Sequence, residues 1–140
     1  MRLSSKPIIF ALIATITLGL YPAFVLSYTW ANVATAEFEG GKNGQLDADR
    51  HTLASAVVSY TLNADAVALV TRVMERNQSG PNLMDKHNNE LGASLGQKAP
   101  HFLAIEPLVA EYVALGAVNT TNPEQVTWLP QKRWGESILW

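Results

Sequence analysis

From Pro7 to Leu26 the chain carries no charged residue, and Ile, Leu, Phe and Val dominate the stretch. About 20 apolar residues at 1.5 Å each span roughly 30 Å, the thickness of a bilayer core. A run of this length has to be covered by lipid, by protein, or be removed, so it constrains everything downstream. Arg2 and Lys6 precede it with no acid nearby, which predicts a cytoplasmic N-terminus. Tyr21, Tyr28 and Trp30 cluster at its far end, as an outer-interface aromatic belt would, and Pro22 predicts a kink near the exit. The competing reading is a cleaved signal peptide, since Ala34-Thr35-Ala36 fits a small-x-small cleavage pattern. The apolar run is longer than a typical signal core, and the cleavage pattern lies past Trp30, so a retained anchor is the reading we take. Either reading exports the remainder.

The exported remainder sets the class. Beyond Ala36 there are twelve acidic and eight basic residues, a net of −4, so no nucleic-acid partner is expected. Charged residues are 16% and hydrophobic ones 48% of the chain, a balance that opposes disorder. The absence of cysteine excludes disulfides, thiolate metal sites and a Cys nucleophile.

The spacing predicts an all-α fold: one N-terminal transmembrane helix, then a small extracytoplasmic helical bundle. We divide the chain into an anchor (1–30), a tether (31–46), a helical domain (47–127) and a Trp-rich tail (128–140). Glu39 to Gly44 reads as a flexible tether. Leu53, Ala56, Val57 and Tyr60 recur at helical steps after Asp47 and Asp49. Asn63 reads as the N-cap of a second helix through Val67, Val70 and Met74. A third is expected from Met84 to Leu95, ending at Gly96. A fourth runs from Pro107 through Leu108, Tyr112 and Leu115, and Asn122-Pro123 opens one short turn.

The densest polar constellation is divided between two of these helices. Asp47 and His51 stand four residues apart, and Asp85, Asn88 and Asn89 are expected to share a face on the other, with Glu75 between. If the faces meet, His51 is a candidate general base oriented by Asp47 or Asp85, and Arg50 a candidate for an anionic group. The alternative is a structural network in which Arg50 pairs with Asp85 or Glu75 and the Asn side chains cross-link helices. No His-Glu-x-x-His, Gly-rich phosphate loop or Gly-x-Ser-x-Gly elbow is present, and no metal or cofactor is expected.

The pattern Asp47-Ala48-x-Arg50-His51, a helix with a late Glu75, then Met84-Asp85-x-x-Asn88-Asn89-x-x-Gly92, resembles an uncharacterised bacterial helical domain family often found in exported or toxin-like proteins. Members of that family often carry an aromatic shortly after the His, where this chain has Thr52, Leu53, Ala54 and Ser55. The family has no established activity, so the resemblance implies a fold and a site and no reaction.

Trp128, Trp134 and Trp140 in the tail are expected partner contacts. Together these features lead us to expect a non-catalytic accessory subunit, single-pass in a cell membrane, its C-terminal domain periplasmic or extracellular. Its partners would be larger integral membrane proteins and the lipid bilayer. The alternative is an anchored hydrolase or ligand-binding domain that uses the Arg50-His51 and Asp85-Asn88-Asn89 cluster.

Overall fold

The computed structural model describes residues 5–74 and 79–136, and within them the protein is mostly helical with almost no sheet. Helix α1 (Ser5–Thr15) continues through a π-helical segment (Ile16–Leu20) into α2 (Tyr21–Val33). Lys6–Val33 is long and apolar enough to cross a membrane. Where a kink at Pro22 is expected, the helix carries this π segment just before the proline. Tyr21 N–H reaches back to Ile16 C=O, one residue further than an α-helix would allow, and the wider turn accommodates the proline ring. Thr15 and Thr17 donate their hydroxyls to Ala11 and Ile13 carbonyls, so neither leaves a bare polar group on the apolar surface.

From Tyr21 onward the helix docks on the bundle. Tyr21 Oη lies 2.6 Å from Thr61 Oγ1, Val25, Thr29 and Val33 are buried, and the Arg50 guanidinium sits 5.4 Å from the Trp30 ring centre. Tyr21 pairs with Thr61 and Trp30 with Arg50, so α2 runs antiparallel to α3 (Gln45–Thr61). Tyr28 and Phe24 stack against Phe102. The aromatics expected to face headgroups are therefore partly engaged in holding α2 to the domain.

Asn63 caps α4 (Ala64–Met74) as its position suggests, with its Oδ1 accepting Ala66 N–H at 2.9 Å. Helix α5 (Gly80–Lys98) starts four residues before the expected Met84 and runs through Gly96 rather than stopping there. Gly96 is a packing residue: a Cβ at this position would lie 2.2 Å from Ala56 O, and one at Gly92 would lie 2.3 Å from Thr52 O. The two glycines let the backbones of α3 and α5 touch. Ser55 Oγ donates to Asn89 Oδ1 at 2.9 Å and Ser59 Oγ to Ala93 O at 2.7 Å, both pairs 34 residues apart. A constant offset means that α3 and α5 run parallel in fixed register, with α4 as the return crossover.

After a 3-10 turn (Phe102–Ala104), α6 (Ile105–Ala114) buries Ile105, Val109 and Val113. The expected stripe of Leu108, Tyr112 and Leu115 is one residue out of phase, and Leu115 is exposed. Strand β1 (Ala117–Val118) pairs in parallel with β2 (Thr127–Trp128), a two-residue ladder that no alternation pattern announces. The core joins Leu53, Ala56 and Val57 to Leu95, Val109 and Val126.

The segment around Gly40 is docked rather than a free tether. Leu129 N–H and Gly135 N–H donate to Asn43 and Lys42 carbonyls, and the Trp134 indole covers Gly40, whose φ of +79° and missing Cβ both need glycine.

Gly96→Ala should destabilise the full-length protein in detergent by about 1–3 kcal/mol, read from its urea midpoint, because the clash outweighs a helix-propensity gain of about 1 kcal/mol. Gly19→Ala, with nothing within 4 Å of its would-be Cβ, should leave the midpoint unchanged or higher. Equal effects at the two positions would show that the α3–α5 contact is not tight.

Candidate functional site

The parallel register of α3 and α5 brings His51 opposite Asp85, 34 residues on, one turn before the Ser55–Asn89 pair. His51 Nε2 lies 3.6 Å from Asp47 Oδ1 and 3.6 Å from Asp85 Oδ1. Both separations exceed a hydrogen bond, so the ring nitrogen faces two carboxylates across a gap. The imidazole also hydrogen-bonds the Asn89 side chain. Its side chain keeps 23% of its surface in contact with solvent, while Asp47 keeps 3%.

Asp47 is held from three directions. It lies in the first turn of α3, where the helix dipole favours a negative charge. Its Oδ2 accepts Asn43 N–H at 2.7 Å, and Arg50 donates to its Oδ1. Arg50 thus pairs with Asp47 and packs on Trp30. Burial pushes the His51 pKa below its ordinary 6.5; Asp47 opposes the change, Arg50 adds to it, and the Asn89 hydrogen bond opposes it. His51 is therefore neutral at pH 7, the form a general base or a metal ligand requires.

His51 stands at one end of an apolar groove of about 240 Å³ between α2, α3, α4 and α5. Val25, Ala54, Val58, Val67, Val70 and Met74 form its walls. On α4 only Val67 and Thr71 are buried, and Val70 and Met74, which recur at helical spacing with Val67, are exposed along the rim.

The structure brings together Asp47, His51, Asp85 and Asn89. Asn88 belongs elsewhere: one residue further around the helix from Asn89, it exchanges two hydrogen bonds with the Thr127 backbone and pins β2 to α5. The expected shared face for Asp85, Asn88 and Asn89 therefore holds only for the i, i+4 pair. His87 bonds Gln125 O on that same outer side. Trp128 is 6% exposed and its ring lies over Gly116, so its expected role as a partner contact gives way to a place in the core. Trp134 is partly buried and donates its indole N–H to Leu129 O. Glu75 and Trp140 lie outside the described residues.

One participant escaped sequence reasoning. Ser55 orients Asn89, and its place four residues after His51 was the available signal. Asp49 is buried on the opposite side of α3, and burial together with the nearby Glu106 raises its carboxyl to about 7.

Asp47, His51 and Asp85 each offer one ligand atom, all within 4.8 Å of one another, enough for three positions around a small cation. Asp47 is already neutralised by Arg50, which weakens that set for a divalent ion.

An acid whose carboxyl is raised on folding is most stabilising below its unfolded value, and the stability is lost as pH rises to the folded value. For Asp49 that window runs from about 4 to about 7, with a ceiling of about 4 kcal/mol. Asp49→Asn should flatten the stability profile across this window and raise the urea midpoint at pH 8. A parallel profile in the two proteins would show that Asp49 is ionised at no cost.

Compared with known proteins, the chain matches no family model, no curated protein and no solved structure.

Proposed function

We propose that the protein is a membrane-anchored hydrolase whose general base is His51. The observation that carries this reading is the neutral, solvent-reachable imidazole between two carboxylates at the end of a groove. At 3.6 Å from each carboxylate the ring nitrogen is near enough to be oriented by both, and the exposed part of the side chain is open to a water arriving from the groove. In this reading water gives a proton to His51 while its oxygen bonds the electrophilic centre of an ester. The imidazolium then returns the proton to the departing oxygen. Asp47, itself fixed by Arg50 and Asn43, and Asp85 stabilise the imidazolium, and Asn89 positions the ring.

Retention of the apolar helix is supported by its packing. Cleavage after Ala36 would strip Val25, Thr29, Val33 and the Trp30–Arg50 contact from the bundle. Ile8, Phe10, Leu12 and Leu18 are each at least 60% exposed, a surface suited to lipid. The same surface favours a second reading, a non-catalytic accessory subunit that seats this helix against a larger integral membrane protein. Because the site is held by α3 and α5, that reading leaves His51 without a task.

His51→Gln in the full-length protein should lower ester hydrolysis by about a hundredfold or more while leaving the circular dichroism spectrum unchanged. The wild-type rate should fall on an acid limb below pH 6.5, where the lowered His51 takes up its proton. Wild-type turnover matched by His51→Gln, or absent with p-nitrophenyl esters of every chain length, alongside stoichiometric co-purification of a membrane protein, would establish the accessory reading instead.

A further inference from the structure

The depth of the groove identifies what enters it. Counting from Pro7, the roughly 30 Å of a bilayer core is used up near Leu26 at 1.5 Å per residue. The part of the helix free of the bundle ends earlier, at Leu20, and is too short by itself to span that thickness. The foot of the domain therefore enters the bilayer with the helix. The surface there is mixed: Leu62, Leu69 and Leu103 are each more than half exposed and the Tyr60 and Phe24 rings lie beside Phe102, and Asn63 and Asp65 are exposed as well.

The groove shares this level. Val25 belongs both to the apolar helix and to the groove wall, one residue inside the hydrocarbon boundary. From Val58 the groove follows α3 through Ala54 to His51, about 10 Å in seven residues. The antiparallel α4 borders it from Val67 to Met74. His51 adjoins Arg50, which packs on Trp30, four residues or about 6 Å beyond Leu26. That height is the interfacial zone, where glycerolipid esters lie.

Resting on the anchored-hydrolase reading, we propose that the groove takes an acyl chain of a membrane phospholipid and presents its ester to His51. The occupant enters from the hydrocarbon at the Val25–Val58 end, its methylenes lie along Val67 and Val70, and its carbonyl reaches the imidazole. Hydrolysis there joins the water oxygen to the carbonyl carbon and breaks the bond from that carbon to the glycerol oxygen. The glycerol oxygen takes the proton that His51 removed from water, and the products are a fatty acid and a lysophospholipid.

The test uses the full-length protein in phosphatidylcholine vesicles doped with a phosphatidylcholine whose acyl chain carries a photoreactive diazirine. Irradiation should label peptides containing Val58, Val67 and Met74. Ala54→Phe, which fills the groove, should reduce that labelling by about tenfold. Val70→Asp alters an exposed rim residue without burdening the core and should do the same. Labelling confined to residues 7–20, or unchanged in both variants, overturns the proposal. Groove labelling without fatty-acid release from the same vesicles sustains the lipid site and overturns the hydrolase. Fatty-acid release without groove labelling sustains the hydrolase and overturns the lipid site.

Discussion

Backbone contact between α3 and α5 is the constraint on which the rest of the structure depends. Gly92 and Gly96 present no side chain to Thr52 and Ala56, and the carbonyls of those residues occupy the space a Cβ would need. Helices usually pack 8–10 Å apart, and small residues are what allow a closer approach. The short serine side chains can then reach across: Ser55 to Asn89 and Ser59 to Ala93. The register of these contacts, repeated turn by turn, carries His51 to Asp85. A shift of one residue would rotate Asp85 about 100° away from the imidazole. The site is thus set by packing one and two turns away from it, not by attraction between its charges.

Helix α3 also shows how environment separates side chains of the same type. Asp47 and Asp49 are two residues apart and both 4% exposed. Asp47 accepts hydrogen bonds from a backbone N–H and from the Arg50 guanidinium. Asp49 instead meets burial and Glu106, and its carboxyl rises to about 7. His51, on the Asp47 side, is kept neutral by burial. One helix therefore holds an acid paired with arginine beside a histidine whose pKa is lowered on one face, and an acid raised to about 7 on the other.

Much of this was legible in the sequence because it follows local rules. The apolar run, the Asn63 cap and the i, i+4 pairing of Asp47 with His51 need only neighbours along the chain. What failed depends on contacts distant in sequence. Gly96 reads as a helix stop until Ala56 is known to lie against it. Asn88 looks equivalent to Asn89 until the Thr127 backbone is found on the other side of the helix. Val70 and Met74 keep helical spacing yet line a rim, since periodicity gives a face and not what covers it. Trp128 seemed spare at a chain end, but 100 residues of small helices bury little, and the tail completes the core.

On the anchored reading the apolar helix has two tasks that constrain each other. Burying a large apolar side chain is worth roughly 1.5–3 kcal/mol, so the exposed residues between Ile8 and Leu20 together hold a driving force comparable with the 5–15 kcal/mol stability of a whole domain. On the anchored reading, lipid supplies that burial, and the helix settles at the depth where its apolar stretch matches the bilayer. From Tyr21 the same helix is a wall of the bundle, held by the Thr61 contact, by Val25 and Val33, and by Trp30 beneath Arg50. No loop separates the two parts; the π segment just before Pro22 is the one irregularity between them. Its hydrogen bonding continues through the turn, so the helix runs on without a break. On the anchored reading one continuous helix joins anchor and domain, and its position in the bilayer would set the height of His51. A flexible linker would let the site sample many heights, whereas a continuous helix fixes one.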